Sequence, residues 1–127
     1  MKEIKFRYIV KRKNGYVFSE LFTIEQIEKG KANLFIKVNH VNPNELTREQ
    51  YTGLKDKNGK EIFEGDIVKI IHPCWHENNV IVLFENGSFI FKTKKESAIP
   101  GWTIYKETWE IEIIGNIHEN PELLNGR

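Results

Sequence analysis

Two histidines and one cysteine stand at alternate positions, His72, Cys74 and His76, and would share one face of an extended segment. Imidazole and thiolate groups are good zinc ligands. Zinc sites, however, usually take paired ligands that are two or more residues apart, and Pro73 would disturb a strand. We therefore interpret 72–76 as a loop anchored by Trp75, and we predict neither a metal site nor a cofactor.

Basic side chains next to aromatic ones form a second candidate constellation. Such combinations bind single-stranded nucleic acid on barrel folds, where bases stack on rings and cations meet phosphates. The alternative is a solvated loop or a face that packs on a partner, and we favour that alternative at both places. The residues that could contact nucleic acid or a partner are Arg7, Lys11, Arg12, Lys13 and Phe18 in the first half, and Lys92, Lys94, Lys95 and Trp102 in the second.

Carboxylates cluster at 56–66 and again at Glu110 and Glu112. They could bind a divalent ion, but aspartate and glycine mark turns for backbone reasons, and glutamates on an edge strand discourage aggregation. The sequence has no glycine-rich phosphate loop, no His-Glu-x-x-His and no Gly-x-Ser-x-Gly. We predict no catalytic residues. Among the enzyme classes, a metal-dependent hydrolase is the one that the sequence fits best.

The bulk properties favour a soluble globular protein. The chain has 127 residues, 39% of them hydrophobic and 29% charged, with a formal net charge of +1 that argues against nonspecific binding of nucleic acid by bulk charge. One cysteine, Cys74, excludes an internal disulfide and fits a reducing compartment. We see no membrane-spanning run and no signal peptide, so we expect a cytoplasmic location in a host bacterium and no membrane partner.

The first half should form a β-hairpin followed by a short helix. Apolar residues alternate from Ile4 to Val10, and Asn14-Gly15 suits a two-residue type I′ turn. In that register Val10 faces Ser19, and Phe18 lies with Lys11 and Lys13 on the face opposite the core. Thr23 with Gln26 predicts a capping box and a helix over about 23–29. The compact apolar run 34–38 predicts a strand, and 46–49 predicts one helical turn.

The second half should be a curled sheet. Asn58-Gly59 predicts another tight turn, and 67–71 is rich in β-branched residues. The segment 80–92 predicts a hairpin tipped by Asn86-Gly87, with Phe84 facing Phe89 and Val82 facing Phe91. Both faces of this hairpin are apolar, which indicates a sheet covered on both sides, either by the first half or by another subunit. Residues 109–113 alternate as a further strand.

Several contiguous blocks resemble the YopX family, small proteins of phages and prophages in Gram-positive bacteria. They are 4–7, 50–56, 58–62, 64–68 and 114–123, in the family's order. The resemblance implies a mainly β protein that self-associates and is encoded by a mobile element. It implies no catalytic residues, because the family has no agreed biochemical activity. The divergent segments 14–49 and 71–110 would hold whatever is specific to this member.

We therefore predict a mainly β (α+β) fold with two lobes. Residues 1–50 form an N-terminal lobe of a β-hairpin plus a short helix, and residues 51–127 form an SH3-like, partly open β-barrel. The predicted function is that of a noncatalytic accessory protein of a phage or prophage, which acts by forming a homo-oligomer or by binding a host or phage protein. The alternative is a nucleic-acid-binding module with an SH3- or OB-like barrel.

Overall fold

The computed structural model describes residues 3–72, 75–93, 98–100 and 110–125. Its contacts divide the chain into two compact units, Met1–Gly53 and Leu54–Arg127. The strands are β1 (Lys5–Lys11), β2 (Val17–Thr23), β3 (Leu46–Lys55), β4 (Glu61–Phe63), β5 (Asp66–His72), β6 (Trp75–Glu85), β7 (Ser88–Lys92), β8 (Ala98–Pro100) and β9 (Glu110–Asn116). The helices are α1 (Ile24–Glu28), α2 (Lys31–Val38), a 3-10 turn (Pro43–Glu45) and α3 (Glu122–Asn125).

Two antiparallel sheets confirm the predicted mainly β fold. The first has the strand order β2-β1-β3-β4, and the second has the order β8-β7-β6-β5-β9. Neither order closes on itself over the described residues, so the second sheet is open, as the prediction of a partly open barrel required.

The β1–β2 hairpin forms, but with a register different from the predicted one. Val10 pairs with Phe18 and not with Ser19. The loop is longer than two residues, because the Arg12 N–H donates to the Tyr16 carbonyl at 2.9 Å and the Gly15 N–H donates to the Arg12 carbonyl at 2.9 Å. Only Gly15 in this loop has positive φ, 91°, whereas a type I′ turn needs positive φ at both central residues. The Asn14 side chain instead accepts from the Tyr16 N–H at 2.9 Å.

This one-residue difference moves Phe18 to the other face of the sheet. Phe18 lies on the face of Val10, Tyr8 and Phe22, and not with Lys11 as predicted. Its ring lies 6.0 Å from that of Phe35 on α2, in a T-shaped arrangement. Phe18 is therefore part of an aromatic cluster between β2 and α2, and the prediction that placed it among lysines was wrong.

The helix α1 begins as predicted. The Thr23 hydroxyl accepts from the Gln26 N–H at 3.2 Å, while the Gln26 side chain accepts from the Thr23 N–H at 2.9 Å, which completes the capping box. Gly30, with φ of 84°, then links the two helices by ending α1 and starting α2.

The segment 34–38 is helical, so the predicted strand is wrong. It belongs to α2, which packs Ala32, Phe35 and Ile36 against Tyr8 and Phe22 of the sheet. These three residues recur at helical spacing, whereas the apolar run on its own could not distinguish a buried strand from a helix. Their packing against the sheet decides in favour of the helix.

Residues 46–49 belong to a strand, so the predicted helical turn is also wrong. The helical turn lies earlier, at Pro43–Glu45, where Asn42 and Glu45 form a capping box. β3 starts at Leu46 and pairs antiparallel with β1, with Ile9 opposite Thr47 and Arg7 opposite Glu49. Proline at the first position of the 3-10 turn explains why the turn begins there.

The second unit has its own apolar core, to which strands of both sheets contribute. Val68, Ile70, Val80, Val82 and Phe91 are buried. The rest of this core consists of Leu54, Ile62 and Ile111, with Ile99 and Ile113 packed against it. One face of the 80–92 hairpin is therefore covered by residues of its own unit. The predicted pairs of Phe84 with Phe89 and of Val82 with Phe91 are confirmed.

Two turns in the second unit are held by buried aspartates. Asp56 accepts from the N–H groups of Asn58 and Lys60 at 2.9 Å each, and from that of Ile113 at 3.1 Å. Asp66, 2% exposed, accepts from the Phe63 N–H at 2.8 Å. Each carboxylate satisfies buried backbone donors, which is a structural role.

The C-terminal residues fold back onto the second sheet. The Asn79 amide donates to the Leu123 carbonyl at 2.6 Å, and the Asn120 carboxamide oxygen accepts from the Asn116 N–H at 3.2 Å. Gly115 on β9 lies beneath this turn, and a methyl group there would stand 2.7 Å from the Asn120 oxygen and 2.9 Å from a Leu123 methyl carbon.

Within the described ranges, no helix is both long enough and apolar enough to cross a bilayer.

Candidate functional site

Over the described residues, the outer strand of the first sheet, β2, has no strand paired with its outer backbone edge. β2 ends the strand order, with β1 as its neighbour on the inner side. Arg12 and Tyr16 form a hydrogen-bonded pair, and so do Ile4 and Ile24. Because hydrogen-bonded pairs alternate along an antiparallel ladder, Phe18, Glu20 and Phe22 bond inward to β1. The N–H and carbonyl groups that point outward belong to Val17, Ser19 and Leu21, whereas the N–H of Thr23 donates to the Gln26 side chain.

A groove runs beside this edge, between β2 and α2. It has a volume of about 410 Å³ and is open to solvent. Its lining combines aromatic and aliphatic side chains with a few polar ones. The lining residues are Glu20, Leu21, Phe22, Gln26, Lys31, Leu34, Phe35, Val38 and Asn39. Phe22 and Phe35 form the floor, since their rings pack against each other at 5.6 Å.

Large apolar side chains rim the groove and the edge. Leu34 is 58% exposed and Val38 is 64% exposed, and the two lie four residues apart on one side of α2. Leu21 is 46% exposed and extends from the other face of the sheet, because it pairs with Arg7 and alternates with Glu20. Single exposed apolar side chains are common, but two leucines and a valine around one strand edge form a surface suited to another chain.

The charges on this surface are few and of both signs. Glu20, on the helix-facing side of β2, and Lys31, in the first turn of α2, are both exposed. Asn39 is held at the far end, where its amide donates to the Phe35 carbonyl at 2.9 Å. The acid Glu20, the base Lys31 and the apolar rim are typical of a surface that recognises another molecule. The residues that line the groove do not form the cluster of titratable groups that acid-base catalysis needs.

Arg7 lies in the first sheet as an ion-pair partner. Its Nη2 is 2.7 Å and its Nε is 3.1 Å from Oε1 of Glu49, and the two side chains are only 15% and 5% exposed. A guanidinium held in this way has little freedom to contact phosphate.

Arg12 is also engaged within the first unit. It donates to the Glu45 carboxylate at 2.8 Å and to the Asn39 carbonyl at 2.6 Å, and its guanidinium lies 5.3 Å from the centre of the Phe18 ring. The Asn42 N–H, followed by Arg12 itself, lowers the pKa of Glu45, although burial acts against them. Arg12 thus connects the hairpin with the 3-10 turn.

The remaining basic candidates belong to different units of the chain. Lys11 and Lys13 are exposed near the β1–β2 loop, whereas Lys92 is half-buried on β7 of the other unit. Lys94, Lys95 and Trp102 lie outside the described residues.

The candidate metal ligands His72 and His76 lie on the paired strands β5 and β6, where His72 pairs with Trp75, so the predicted loop over 72–76 is wrong at these residues. Cys74 and the side chains of His72 and His76 lie outside what the structure describes, and among the described residues no group of three or more His, Cys, Asp or Glu side chains could hold a metal ion. On β9, Glu112 lies 3.8 Å from the ammonium groups of both Lys57 and Lys69.

The β2 edge and its groove were missed by sequence reasoning. The signal was present, because Leu34 and Val38 are spaced for one side of a helix while Ala32, Phe35 and Ile36 occupy the other. Reading 34–38 as a strand hid this amphipathic pattern. The error in the first hairpin register also concealed which residues of β2 face the groove.

Three comparisons place this architecture among known proteins. The family model described as YopX protein matches residues 5–125. The SPbeta prophage-derived uncharacterized protein YopX of Bacillus subtilis (strain 168) is 38% identical over 74 residues, which cover 54% of this chain and 53% of that protein. The match therefore spans about half the length of that curated relative.

A solved structure shares the fold over the whole chain. The crystal structure of protein EF1440 from Enterococcus faecalis superimposes with a TM-score of 0.53 at 22% identity and covers 98% of this chain and 99% of that one. At this identity the likeness concerns the fold alone. The family match over nearly all of the sequence confirms the resemblance found in the sequence blocks, and the chain belongs to the YopX family.

Proposed function

We propose that this protein is a noncatalytic accessory protein of a phage or prophage, located in the host cytoplasm, that acts by binding another protein chain through the outer edge of β2 and the adjoining groove. The observation that carries the proposal is the unpaired edge of β2 beside exposed Leu34 and Val38. The prophage origin of the relative from Bacillus subtilis supports the setting. The partner is another copy of the chain or a protein of the host or phage.

The physical basis is strand addition combined with apolar burial. An added strand would bond the outward N–H and carbonyl groups of Ser19 and Leu21, which otherwise bond only to water. It would also cover Leu34 and Val38, and burying a side chain of this size contributes up to about 1.5–3 kcal/mol. Both terms favour association, and a partner strand that is already extended would lose less conformational entropy on binding.

The proposal is tested with matched bait proteins. Ser19→Pro removes one outward N–H, and an edge strand tolerates proline at such a position. Leu34→Glu places a charge on the groove rim. The control is Phe84→Lys, because Phe84 is 43% exposed but lies in the other unit. Circular dichroism and melting temperature first establish that each bait is folded.

Each bait is used to capture proteins from the bacterium that carries the gene, and each captured protein is then purified and its affinity measured directly. We expect wild-type protein and Phe84→Lys to bind alike, and Ser19→Pro and Leu34→Glu to bind at least about 10-fold more weakly. Equal affinity for all four baits would overturn the proposal, as would the absence of any partner, including another copy of the chain.

A nucleic-acid-binding module is the second candidate. Its support is the pair of exposed lysines, Lys11 and Lys13, near the exposed ring of Tyr16, which is 62% exposed. The engagement of Arg7 and Arg12 with carboxylates weakens it. Fluorescence anisotropy with single- and double-stranded oligonucleotides at low salt tests this candidate, since phosphate contacts require affinity to fall steeply as salt is added.

A further inference from the structure

We propose that Asn86, at the tip of the β6–β7 hairpin, is a site of spontaneous covalent modification. The Gly87 amide nitrogen attacks the Asn86 side chain, and water converts the product to an aspartyl or isoaspartyl residue. The site lies in the second unit and is independent of the β2 edge proposed above as a binding surface. Asparagine followed by glycine suits this reaction, because glycine has no Cβ to hinder the attacking nitrogen and moves freely.

The chain offers three Asn-Gly pairs that exposure alone does not distinguish. They are Asn14-Gly15, Asn58-Gly59 and Asn86-Gly87, and all six residues are exposed. Access to water and the type of the following residue are the same at all three pairs. The pairs differ in the glycine N–H group, whose nitrogen must lose its proton before it can attack a carbonyl carbon.

Two of the three glycine N–H groups are engaged in hydrogen bonds. The Gly15 N–H donates to the Arg12 carbonyl at 2.9 Å, and the Gly59 N–H donates to the Asp56 carbonyl at 2.9 Å. In both turns the glycine is the fourth residue, so its nitrogen closes the turn. A hydrogen-bonded N–H is held in place and gives up its proton less readily, so the bond must open before the nitrogen can attack.

Further hydrogen bonds restrain the asparagines of these two turns. Oδ1 of Asn14 accepts from the Tyr16 N–H at 2.9 Å, which holds the carboxamide that would have to move. Oδ1 of Asp56 accepts from the N–H groups of Asn58 and Lys60 at 2.9 Å each, which holds the backbone on both sides of Gly59. Both pairs are therefore protected twice.

Gly87 lies in a different kind of turn. Glu85 pairs with Ser88, and Asn86 and Gly87 are the two central residues, with φ of 52° and 84°. The strand ladder closes around them, and the Gly87 N–H donates no hydrogen bond to any of the residues that the structure describes. Its nitrogen is therefore available for attack, and Asn86 reacts ahead of Asn14 and Asn58.

The reaction needs only base and water. Hydroxide takes the proton from the Gly87 nitrogen, which forms a bond to Cγ of Asn86. The bond from Cγ to Nδ2 breaks, and the departing nitrogen takes up a proton and leaves as ammonia, so that a cyclic imide remains. Water then opens the ring at one of its two carbonyl carbons. One opening gives an aspartyl residue, and the other gives an isoaspartyl residue, whose main chain runs through the former side chain.

The isoaspartyl product opens the tip of the hairpin. Its main chain is longer by one carbon, so the turn no longer matches the twist of the two strands that it joins. The pairs nearest the tip are Glu85 with Ser88 and Phe84 with Phe89, whose rings lie 4.8 Å apart. These pairs are the first to loosen, whereas the aspartyl product changes only the charge.

Peptide mapping by mass spectrometry tests the site in the full chain, kept folded in a warm, mildly alkaline buffer. The reaction at each asparagine is followed through the mass change that comes with replacement of the amide nitrogen by oxygen. We expect Asn86 to react at least about 3-fold faster than Asn14 or Asn58, since the net contribution of one hydrogen bond corresponds to a factor of about 2 to 10. In guanidinium chloride the three rates should converge. A rate at Asn14 or Asn58 that equals or exceeds that of Asn86 in the folded protein overturns the proposal, as does the same spread of rates in denaturant.

Hydrogen exchange tests the effect on the hairpin. The isoaspartyl form is separated by chromatography, and Asn86→Asp is the matched control, because it carries the same charge on a main chain of normal length. We expect the amides of 81–92 to exchange at least about 3-fold faster in the isoaspartyl form than in Asn86→Asp. Equal exchange in the two proteins overturns the opening of the tip.

Discussion

Arg7 and Glu49, 42 residues apart in the chain, form an ion pair across β1 and β3 in which one carboxylate oxygen receives two guanidinium N–H groups. The pair lies between directly paired residues of the two strands and is largely hidden from solvent. A pair in this position stabilises the register of β3 against β1. Arg7, which the sequence alone suggested as a possible contact for nucleic acid, is therefore engaged in an ion pair within the sheet.

Removing one member of this pair should be costly. Arg7→Ala leaves the Glu49 carboxylate buried without its main partner, and we expect the free energy of unfolding to fall by about 3 kcal/mol. The double variant Arg7→Met with Glu49→Leu should recover much of this loss, because no buried charge remains. Urea denaturation measures both. Lys11→Ala, at an exposed position on β1, is the control and should stay within about 0.5 kcal/mol of wild type. A loss no greater than that of the control would contradict a structural role for Arg7.

Asp56 should make the second unit sensitive to acid. Burial acts to raise the pKa of Asp56, but the N–H groups of Ile113, Lys60 and Asn58 outweigh it and lower the pKa below the ordinary aspartate value. A lowered folded-state pKa contributes stability that is complete above about pH 4 and is lost as the pH falls through the folded value. Asp56→Asn should therefore be less stable than wild type at pH 7 and lose less stability between about pH 5 and pH 2. Urea midpoints across this range give the comparison, and parallel curves would contradict it.

Replacement of Gly115 by alanine should lower the free energy of unfolding. The methyl group of Gly115→Ala would meet the Asn120 oxygen at 2.7 Å and displace the turn that Asn120 and Leu123 form. We expect a loss of about 1–3 kcal/mol. Adding Leu123→Ala should restore part of that loss by making room. Thermal or urea denaturation measures the series. If the double variant is destabilised by the full sum of the two single changes, then steric contact is not the cause.

Replacement of Asn58 and of Asn86 by alanine should lower the free energy of unfolding by different amounts. Asn86 has a φ of 52°, in the left-handed region, whereas Asn58 has no positive φ. Asn86→Ala should cost about 1 kcal/mol because alanine disfavours that backbone conformation, while Asn58→Ala should stay within about 0.5 kcal/mol of wild type. Urea midpoints of the two variants are compared directly. Equal losses at both sites would mean that backbone conformation does not decide the cost.

Local patterns predicted the elements whose partners are close in sequence. The 80–92 hairpin has its predicted pairs because Asn86-Gly87 forms a two-residue turn with positive φ at both positions. The capping box of α1 was readable because Thr23 and Gln26 satisfy each other. The Asn14-Gly15 loop failed this reasoning, since the same dipeptide also suits a longer loop in which only glycine has positive φ.

Features that depend on contacts between residues far apart in the sequence could not be predicted. The run 34–38 is a helix because the sheet accepts Phe35 and Ile36 from α2, a tertiary effect that overrides the ambiguity of a short apolar run. The pairing of Arg7 with Glu49 requires the register of β3, and the groove requires the placement of α2 over β2. The spacing of Leu34 and Val38 on one side of a helix was readable in the sequence, but the placement of α2 over β2 and the register of β3 were not.

The position of β5 has a consequence during synthesis. β5 lies between β6 and β9, and the carbonyl of Gly65, just before β5, accepts the N–H of Ile117, just after β9. A ribosome that has made the chain only through β8 leaves one side of β5 bare, with the apolar side chains of Val68 and Ile70 lacking the cover of Ile111. The nascent second unit therefore passes through a stage in which an open strand edge is available to other chains.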